Sequence, residues 1–567
     1  RICLVGSEMC IRDSDYFESY KSAIDEVGKI NTARNLSNGV SIKISALHPR
    51  YEMRKINQIE SELLPKLKEL VNYAQSKDVE ITIDAEEQDR LSLSLHIIEK
   101  LAYEKNIRDW PGFGIALQAY GKRSFDVIHW LNGILDKRDG VHLRLVKGAY
   151  WDYEIKHAQV SGYEGYPVFS KKSLTDIAYL ACAKEIFKNK KIFPKFATHN
   201  AHTISSIHHI GKDFNYEFQR LYGMGELLYK SASKVLGIKN NPSVYAPIGS
   251  YKDLLPYLVR RLLENGANSS FINRLLDPDT NSKWLAENPY IRVKSEKKEI
   301  PLPNQIFINR QNSSGMDISE SENLENLKNR LIDFDDKLID AKSIYEGREE
   351  DNKNVEKIFS ISSKKEIGTV VFDNPKNIKQ LLTKSLKTTW SNTSPNERSE
   401  ILNKIANNIE EEPYELIYFL INEAGKTIQN AIDEIREAVD FLRYYSNQIL
   451  KISDASDLEG PTGEENLITY TSKGRFLCIS PWNFPVAILI GQISAALACG
   501  NKVIVKPSEH TSILGYLVVK KFHELGIPKD ALELILGDGS YGETLTKISP
   551  LHGVAFTGSL KTAKSIQ

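Results

Sequence analysis

The feature that most restricts the fold of this chain is a regular alternation of short apolar runs with helical patterns across its first half. Seven runs have the length and β-branched content of strands: Ser41–Leu47, Glu80–Glu86, Gly114–Tyr120, Val141–Gly148, Lys195–Asn200, Tyr216–Leu221 and Ser243–Gly249. Amphipathic helical patterns separate them, for example Gln58–Gln75. This alternation over about 250 residues predicts a parallel sheet, and a closed (β/α)8 barrel fits the length best. An eighth strand should precede Ser41, and we expect this first strand of the barrel to be missing or replaced in this chain.

Polar side chains stand at or near the ends of most of the predicted strands. They are Lys43, Asp84, Glu86, Gln118, Arg144, Lys147, Thr198, His199, Asn200 and Tyr245. In a barrel, the carboxyl ends of the strands gather on one face, which is where the active sites of such barrels lie. One such residue could have a purely structural role, but their recurrence from strand to strand indicates a functional site.

The segment 142–152 carries the densest group of these residues. It contains, in order, Arg144, Lys147, Gly148, Ala149, Tyr150 and Trp151. Permanent cations, glycine backbone and two aromatic rings suit a flat, anionic cofactor such as a flavin nucleotide. A buried, ion-paired Arg144 beside a core Trp151 would give the same pattern, so the segment alone leaves both interpretations open.

Four histidines between 199 and 209 invite a metal-site interpretation: His199, His202, His208 and His209. The first belongs to a strand end and the others to the following helix, and neither cysteine nor clustered carboxylates join them. We therefore predict no metal site.

The pair Arg260-Arg261 lies inside a predicted helix, Leu254–Ala267, with Glu264 four residues after Arg260. A surface ion pair at i,i+4 is one interpretation. The other is a carboxylate clamp, because the planar guanidinium donors match carboxylate geometry and the pair is set among leucines and a valine.

Composition excludes some classes of protein. Lys+Arg and Asp+Glu both number 74, so the net charge of +0 predicts no bulk attraction for nucleic acid or anionic lipid. Five cysteines without a Cys-x-x-Cys pair fit a reducing compartment, and we predict a cytoplasmic protein. The most apolar segment, Val486–Cys499, is too short to span a bilayer.

Five motifs in the first half carry a family resemblance. They are SIKISALHPRY at 41–51, TIDAEE at 82–87, RLVKGAYWD at 144–152, FATHNAH at 196–202 and YLVRRLLENGAN at 257–268. These motifs are long enough to be specific, and the region from about Asp15 to Asn273 resembles the proline dehydrogenase barrel of the bifunctional proline utilization A family. The predicted FAD-binding barrel covers 15–275.

The resemblance implies FAD-dependent oxidation of L-proline to pyrroline-5-carboxylate in proline catabolism. The implied FAD contacts are Gln118, Arg144, Lys147, Gly148, Ala149, Trp151, Thr198, His199, Asn200 and Glu264. The residues implied around proline are Lys43, Asp84, Tyr150, Leu221, Tyr245, Arg260 and Arg261. It also implies a quinone electron acceptor, peripheral contact with the inner membrane face and a homo-oligomeric parent.

The chain departs from the family near its first residues. The family carries an active-site Glu in an Asp-Met-Leu-Gly-Glu-Ala setting, which Glu8 in Val-Gly-Ser-Glu-Met does not match, so the role is not carried over. Residues 1–14 are predicted to be non-native or disordered. The DNA-binding module of some family members is not seen either, so we expect no nucleic-acid partner.

The second half is predicted to begin with an interdomain connection, 276–345, that includes a polar helix over Glu320–Ser343. Within 346–567, the motifs ISPWNFP at 479–485, GNKVIVKPSE at 500–509 and FTGS at 556–559 resemble the NAD-binding half of an aldehyde dehydrogenase. By that resemblance, Asn483 is an oxyanion donor, Lys506 and Glu509 meet the adenosine ribose, and Gly558 and Ser559 begin the helix facing the pyrophosphate.

The nucleophilic cysteine of the aldehyde dehydrogenase family is expected beyond Gln567, and Cys478 and Cys499 are not expected to replace it. We therefore expect a fragment truncated at both ends, an incomplete second domain, weak or absent NAD binding and no oxidation of glutamate semialdehyde by this chain. The alternatives are a catalytically incomplete fragment and a parent that acts as a DNA-binding repressor.

Two phosphate-binding patterns are predicted to be coincidental. Gly425-Lys426-Thr427 has Leu420 where a P-loop needs glycine. The literal GxGxxG at 537–542 lacks an acidic residue about twenty positions later, where a dinucleotide fold would place one.

Overall fold

The computed structural model describes residues 13–34, 37–238, 240–248, 254–255, 259, 287–296, 300–349, 354–372, 388–453, 460–464 and 466–567. Glu8 and the predicted site residues Arg260, Arg261 and Glu264 lie outside these ranges. The chain divides into two compact units. The first comprises Arg1–Ala158, Gly165–Ile300 and Ile318–Ser321, and the second Gln159–Glu164, Pro301–Asp317 and Glu322–Gln567.

The first unit is built on a sheet of seven parallel strands that follow one another in chain order. The strands are β1 Gly39–Ile42, β2 Glu80–Ile83, β3 Phe113–Gln118, β4 Val141–Val146, β5 Ile192–Ala197, β6 Glu217–Leu221 and β7 Ser243–Tyr245. The predicted parallel sheet is therefore confirmed. Before β1, residues 13–34 form a helix, so the expected eighth strand is not found among the described residues, and closure into a (β/α)8 barrel stays a prediction.

Helices alternate with these strands as the sequence predicted. They are α1 Asp13–Arg34, α2 Ile56–Ser76, α3 Leu91–Ala102, α4 Lys105–Arg108, α5 Ser124–Leu135, α6 Trp151–Ser161, α7 Lys172–Lys188, α8 Ala201–Ile210, α9 Glu226–Leu236 and α10 Pro289–Ser295. Their buried faces follow the helical period. In α2, the buried side chains are Ile59, Leu63, Leu64, Leu67, Leu70, Val71 and Ala74.

The two faces of the sheet differ in polarity, because successive side chains of a strand point to opposite faces. In β4, Val141, Leu143 and Leu145 are buried apolar residues, whereas Arg144 lies on the other face. Arg144 contacts Ser41 of β1 and Tyr245 of β7, although it is three strands away from each in sheet order. Such contacts require a strongly curved sheet with polar side chains on its concave face.

Six of the seven predicted strands were extended beyond the residue at which the observed strand ends. Three of the observed strands end at Ile42, Ile83 and Val146, so Lys43, Asp84 and Lys147 follow their strands. The run after Lys43 is a 3-10 turn, Ile44–Leu47, and not the continuation of a strand. Ile44 and Leu47 of this turn are buried, and burial within a turn gives the same sequence signal as burial within a strand.

The second unit contains two sheets. The larger has the order β10-β9-β15-β14-β13-β16 and the smaller the order β11-β12-β8. The strands are β8 Ile339–Lys342, β9 Ile344–Tyr345, β10 Arg348–Glu349, β11 Val355–Phe359, β12 Glu366–Val371, β13 Arg475–Ile479, β14 Lys502–Lys506, β15 Leu532–Leu534 and β16 Gly553–Phe556. Strands β15, β14, β13 and β16 pair in parallel.

Eight α-helices of the second unit lie in the described part of the chain. They are α11 Ser321–Ile332, α12 Pro395–Glu411, α13 Tyr414–Asn422, α14 Ile428–Ser453, α15 Ala487–Ala498, α16 Ser512–Leu525, α17 Gly539–Thr546 and α18 Leu560–Ile566. Helix α12 begins with a capping box, in which the Ser394 side chain accepts from Glu397 N and the Glu397 side chain accepts from Ser394 N. The predicted helix Glu320–Ser343 is wrong at its carboxyl end. Residues 339–342 form strand β8, in which Ile339 and Ala341 are buried and Asp340 is exposed. No helix in the described part of the chain is long and apolar enough to cross a membrane.

Candidate active site at the strand ends of the first unit

An ion pair between Arg144 and Asp84 lies at the centre of the predicted site. Asp84 comes directly after β2, and its N–H donates to the carbonyl of Ile42 at 2.9 Å, which aligns it with the end of β1. Arg144 bonds Asp84 through one guanidinium nitrogen and donates to the Ser41 hydroxyl at 2.8 Å through another. The guanidinium also lies 5.1 Å from the centre of the Tyr245 ring.

Burial dominates the electrostatics of this pair. Removal from water raises the pKa of Asp84 above its ordinary value, although Arg144 and Lys43 favour its charged form. Both side chains of the pair are 9 % exposed. A buried charge of this kind is tolerated only when its partner is in place.

Lys43 and Tyr150 form a second polar pair. Lys43 Nζ donates to the Tyr150 hydroxyl at 3.0 Å. Burial opposes the charge on Lys43, but Tyr150 and the carboxylates of Glu86 and Asp84 outweigh it and raise the pKa of the lysine. Burial also raises the pKa of Tyr150. The ammonium is therefore held protonated, with a neutral phenol beside it.

Gln118 and Glu86 connect neighbouring strand ends. The Gln118 amide donates to the carbonyl of Glu86 at 2.7 Å and accepts from Ala149 N at 3.3 Å. The Glu86 carboxylate accepts from Ser45 N at 3.1 Å, from the Ser45 hydroxyl, and from Arg90 at 2.7 Å. The loops after β1, β2 and β4 are thus joined by hydrogen bonds. Neither Glu86 nor Arg90 had been assigned a role.

A close contact within this chain explains why residue 148 is a glycine. Its φ is +137°, and a Cβ at this position would collide with the ring of Tyr120. The sequence predicted that the backbone here approaches something closely, and among the described residues that partner is an aromatic ring of the same chain. A role of Gly148 in holding a cofactor stays a prediction.

The other predicted FAD contacts lie on the following strand ends. Lys147 forms an ion pair with Asp176, and the Trp151 indole donates to the carbonyl of Phe169 at 2.9 Å. The Thr198 hydroxyl accepts from Asn200 N at 3.2 Å. Asn200 in turn caps helix α8 by accepting from Thr203 N at 3.0 Å.

His199 contacts the strand end beside it. Its Nε2 accepts the N–H of Leu221 at 3.0 Å, which requires a lone pair on that nitrogen and hence a neutral ring protonated on Nδ1. No group of three or more His, Cys, Asp or Glu in the described ranges could hold a metal ion.

The donor set fits the flavin nucleotide that the sequence suggested. Lys147 is a half-buried cation beside the half-buried backbone of Gly148 and Ala149. A guanidinium, an amide and a neutral imidazole lie at the ends of the neighbouring strands. These groups combine hydrogen-bond donors for a flat heterocycle with positive charge for phosphates.

The predicted nucleotide-facing residues of the second unit are arranged differently. Asn483, Gly558 and Ser559 are exposed, and Ser559 caps helix α18 by accepting from Thr562 N at 3.2 Å. Lys506 is buried and donates to the carbonyl of Pro507 at 3.0 Å, with Glu509 3.9 Å away. Burial lowers the pKa of Lys506.

Comparison with known proteins gives two family matches. Residues 9–274 match the model of proline dehydrogenase, and residues 348–567 match the aldehyde dehydrogenase family. The bifunctional protein PutA of Salmonella typhimurium is 41% identical over 97% of this chain, and that of Rhizobium meliloti is 38% identical over 97%. The chain is therefore similar to PutA proteins along nearly its whole length. It spans 43% and 45% of the lengths of those two relatives.

Solved PutA structures share the fold. Crystal structures of proline utilization A from Bradyrhizobium japonicum and Bdellovibrio bacteriovorus align with TM-scores of 0.88 and 0.89, at 38% and 26% identity. Each alignment covers 100% of this chain, and 56% and 61% of the respective PutA chain. The Bdellovibrio protein was inactivated by N-propargylglycine. A 1-pyrroline-5-carboxylate dehydrogenase from Geobacillus thermodenitrificans is 37% identical over 32% of this chain and 36% of its own length.

Two cysteines in the region that matches the aldehyde dehydrogenase family are unsuited to nucleophilic chemistry. Cys478 lies fully buried in β13, and burial raises its pKa to about 12. Cys499 follows α15 and is exposed, but partial desolvation of its sulfur raises its pKa, although Arg398 opposes this. A thiolate nucleophile needs the opposite shift.

The two segments that match phosphate-binding patterns, 425–427 and 537–542, have other structural roles. Gly425 has φ +67° in the turn after α13, and Lys426 forms an ion pair with the buried Glu434. In the GxGxxG sequence, the Asp538 carboxylate accepts from Ser540 N at 2.8 Å and so occupies the start of α17 with a negative charge. That charge would repel a phosphate.

Proposed function

We propose that the first unit of this chain oxidises L-proline to pyrroline-5-carboxylate with FAD bound at the carboxyl ends of its strands. The proposal rests on two polar pairs that lie on one face of a parallel sheet. Asp84 forms an ion pair with Arg144, and Lys43 donates a hydrogen bond to Tyr150. This face lies in the region that matches proline dehydrogenase.

The residues we propose to hold FAD are Gln118, Arg144, Lys147, Gly148, Ala149, Trp151, Thr198, His199, Asn200 and Glu264. When bound, FAD supplies the acceptor for the hydride that leaves the ring carbon of proline next to nitrogen. Lys147 contributes positive charge for the phosphates. The neutral His199 keeps a ring N–H for donation, because its other nitrogen accepts from Leu221.

Proline is proposed to lie among Lys43, Asp84, Tyr150, Leu221, Tyr245, Arg260 and Arg261. The protonated Lys43 directs positive charge toward a substrate carboxylate, and Asp84 holds Arg144 in place. From the resemblance, Arg260 and Arg261 clamp the carboxylate as a pair of planar donor forks.

Spectroscopy of the purified 567-residue protein tests the activity. A flavin absorbance band should be present, and anaerobic L-proline should bleach it, whereas D-proline or buffer should not. N-propargylglycine should inactivate the enzyme. A protein that carries flavin but is not reduced by proline would rule out the proposed activity.

The carboxylate clamp has its own test. Arg261→Met should weaken binding of proline or of the unreactive analogue tetrahydrofuroate by roughly 2 to 5 kcal/mol, the range for removing one partner of a buried charged contact. Arg108→Met, in an exposed pair with Asp109, serves as the matched control. Equal binding of proline and proline amide by the unsubstituted 567-residue protein would exclude the clamp.

For the second unit we propose binding of NAD at Asn483, Lys506, Glu509, Gly558 and Ser559, in line with its match to the aldehyde dehydrogenase family. The Cys478 thiol is buried, and the pKa of the exposed Cys499 is raised, so we infer that neither is the nucleophile. Any NADH formed from glutamate semialdehyde should therefore persist in Cys478→Ala and Cys499→Ala. Its loss in either variant would show that we have misplaced the nucleophile.

The remaining partners are proposed from the family alone. They are a quinone electron acceptor, peripheral contact with the inner face of a membrane, and homo-oligomerisation in a cytoplasmic parent.

A further inference from the structure

Glu154 is a buried carboxylate of the first unit to which no role has been assigned. It lies in the first turn of α6 and is 2 % exposed. Its Oε1 accepts from Gln88 N at 2.8 Å and from the Tyr120 hydroxyl at 3.4 Å. One carboxylate therefore joins the segment after β2, the end of β3 and the start of α6.

The same carboxylate lies next to the turn that carries Tyr150. Glu154 N donates to the Tyr150 carbonyl at 2.9 Å. Tyr120 contacts this turn in two ways. Its N–H donates to the Lys147 carbonyl at 2.8 Å, and its ring occupies the space where a side chain at Gly148 would lie. The turn 147–150 is thus held by Tyr120, and Tyr120 is held by Glu154.

We propose that Glu154 is a positioning residue, which fixes the turn 147–150 and, through it, the Tyr150 hydroxyl that bonds Lys43. This inference rests on the proposed proline oxidation, since the Lys43–Tyr150 pair is expected to face the substrate. Glu154 itself does not reach Lys43 through any described hydrogen bond, so it acts through Tyr120 and the backbone of the turn.

The charges around Glu154 are mostly negative. Glu87 and Asp89 face it from the segment after β2, and Arg90 of that segment is shared between Glu86 at 2.7 Å and Glu87 at 3.1 Å. The Tyr120 and Tyr153 phenols are the other titratable neighbours. Burial, together with these two carboxylates, raises the pKa of Glu154 to about 7, although the Gln88 N–H opposes this. The charged form is the stronger acceptor, so the turn should tighten as the pH rises through neutrality.

Steady-state kinetics of four variants test the inference. Glu154→Ala should raise the KM for proline by at least about tenfold, with flavin content unchanged and kcat within about threefold, as for loss of a charge-assisted hydrogen bond. Glu154→Gln retains an Oε1 acceptor and should restore the KM to within about threefold of the parent. Tyr120→Phe keeps the ring over Gly148, loses the hydroxyl and should resemble Glu154→Ala. Glu164→Gln, at an exposed position, is the control.

The pH profile separates positioning from general stability. In the parent, the KM for proline should fall as the pH rises through about 7, and Glu154→Gln should abolish that change. A parental KM in both Glu154→Ala and Tyr120→Phe would overturn the inference. So would an equal loss of flavin and thermal stability in Glu154→Ala and Glu154→Gln. A parent whose flavin proline does not reduce would overturn the proposed function, and this inference with it.

Discussion

The strand ends of the two units differ in how their polar groups are held. In the first unit, Asp84, Arg144 and Lys43 are buried and bonded to other side chains of the site. In the second, Asn483 and Ser559 are exposed, and the buried Lys506 donates to the carbonyl of the next residue. The first site is therefore ordered by its own ion pairs and hydrogen bonds, whereas the second presents side chains and backbone to solvent.

This difference predicts how substitutions at each site affect the stability of the fold. Buried pairs such as Asp84 and Arg144 have already lost their hydration, so they provide fixed charges that need little reorganisation when a ligand binds. The same burial couples them to stability, because removal of one partner leaves the other without compensation. Exposed groups such as Asn483 carry no such penalty, and their removal should affect binding alone.

The largest expected effect is that of Asp84→Ala. It leaves the Arg144 guanidinium buried without its carboxylate and should destabilise the first unit by about 3 to 5 kcal/mol, with loss of flavin. Urea unfolding followed by circular dichroism measures this. Asp109→Ala, in an exposed pair with Arg108, should change stability by less than about 0.5 kcal/mol. Equal stability of the two variants would break the comparison.

A pH effect of intermediate size is expected in the second unit away from its strand ends. Glu423 is buried and accepts from Ile513 N at 2.8 Å and Leu514 N at 2.9 Å, and burial raises its pKa to about 8. The native state therefore keeps a proton that the unfolded chain has lost, so this contribution to stability is complete at low pH and falls as the pH rises to about 8.

Glu423→Gln should remove that slope, which we expect to amount to roughly 1 to 3 kcal/mol between about pH 5 and pH 8. Denaturant unfolding of the parent and the variant at both pH values gives the difference. Glu415→Gln, on the same helix and in a more exposed pair with Lys337, is the control. Parallel pH profiles for parent and variant would show that Glu423 is ionised throughout.

A smaller change in stability is expected for Lys147→Met. Lys147 is partly exposed, but its partner Asp176 is buried, so its loss should cost about 1 to 2 kcal/mol of folding free energy, less than for the pair of Asp84 and Arg144. Flavin affinity should nevertheless fall at least about tenfold, because a cation for the phosphates is removed. Flavin release during gel filtration and denaturant unfolding separate the two effects. Unchanged flavin retention would remove Lys147 from the proposed FAD contacts.

The smallest expected effect on stability is that of Asn483→Ala. The side chain is exposed, so the free energy of unfolding should change by less than about 0.5 kcal/mol. Urea unfolding of the variant beside Asp84→Ala gives the sharpest contrast between the two strand-end regions. A destabilisation comparable to that of Asp84→Ala would show that the second site is also held by buried contacts.

Local periodicity was sufficient to predict the alternating architecture of the first unit. Runs with a period of two and helices with a period of 3.6 are properties of neighbouring residues, and they predicted seven parallel strands in chain order. Because parallel strands bring their carboxyl ends to one edge, the sequence also indicated that Lys43, Asp84 and Arg144 share a face. The roles of these residues toward FAD and proline came from family resemblance and stay predictions.

Only the tertiary structure showed which of these groups bond each other. Glu154 meets Gln88 and Tyr120, which are 66 and 34 residues away in the chain, and no sequence period relates them. Gly148 is bare because the Tyr120 ring lies against it, and Ile339–Lys342 is a strand because its partner β12 lies alongside. Such contacts depend on the curvature and register of the sheets, and these are set by the packing of the whole unit, which no local pattern encodes.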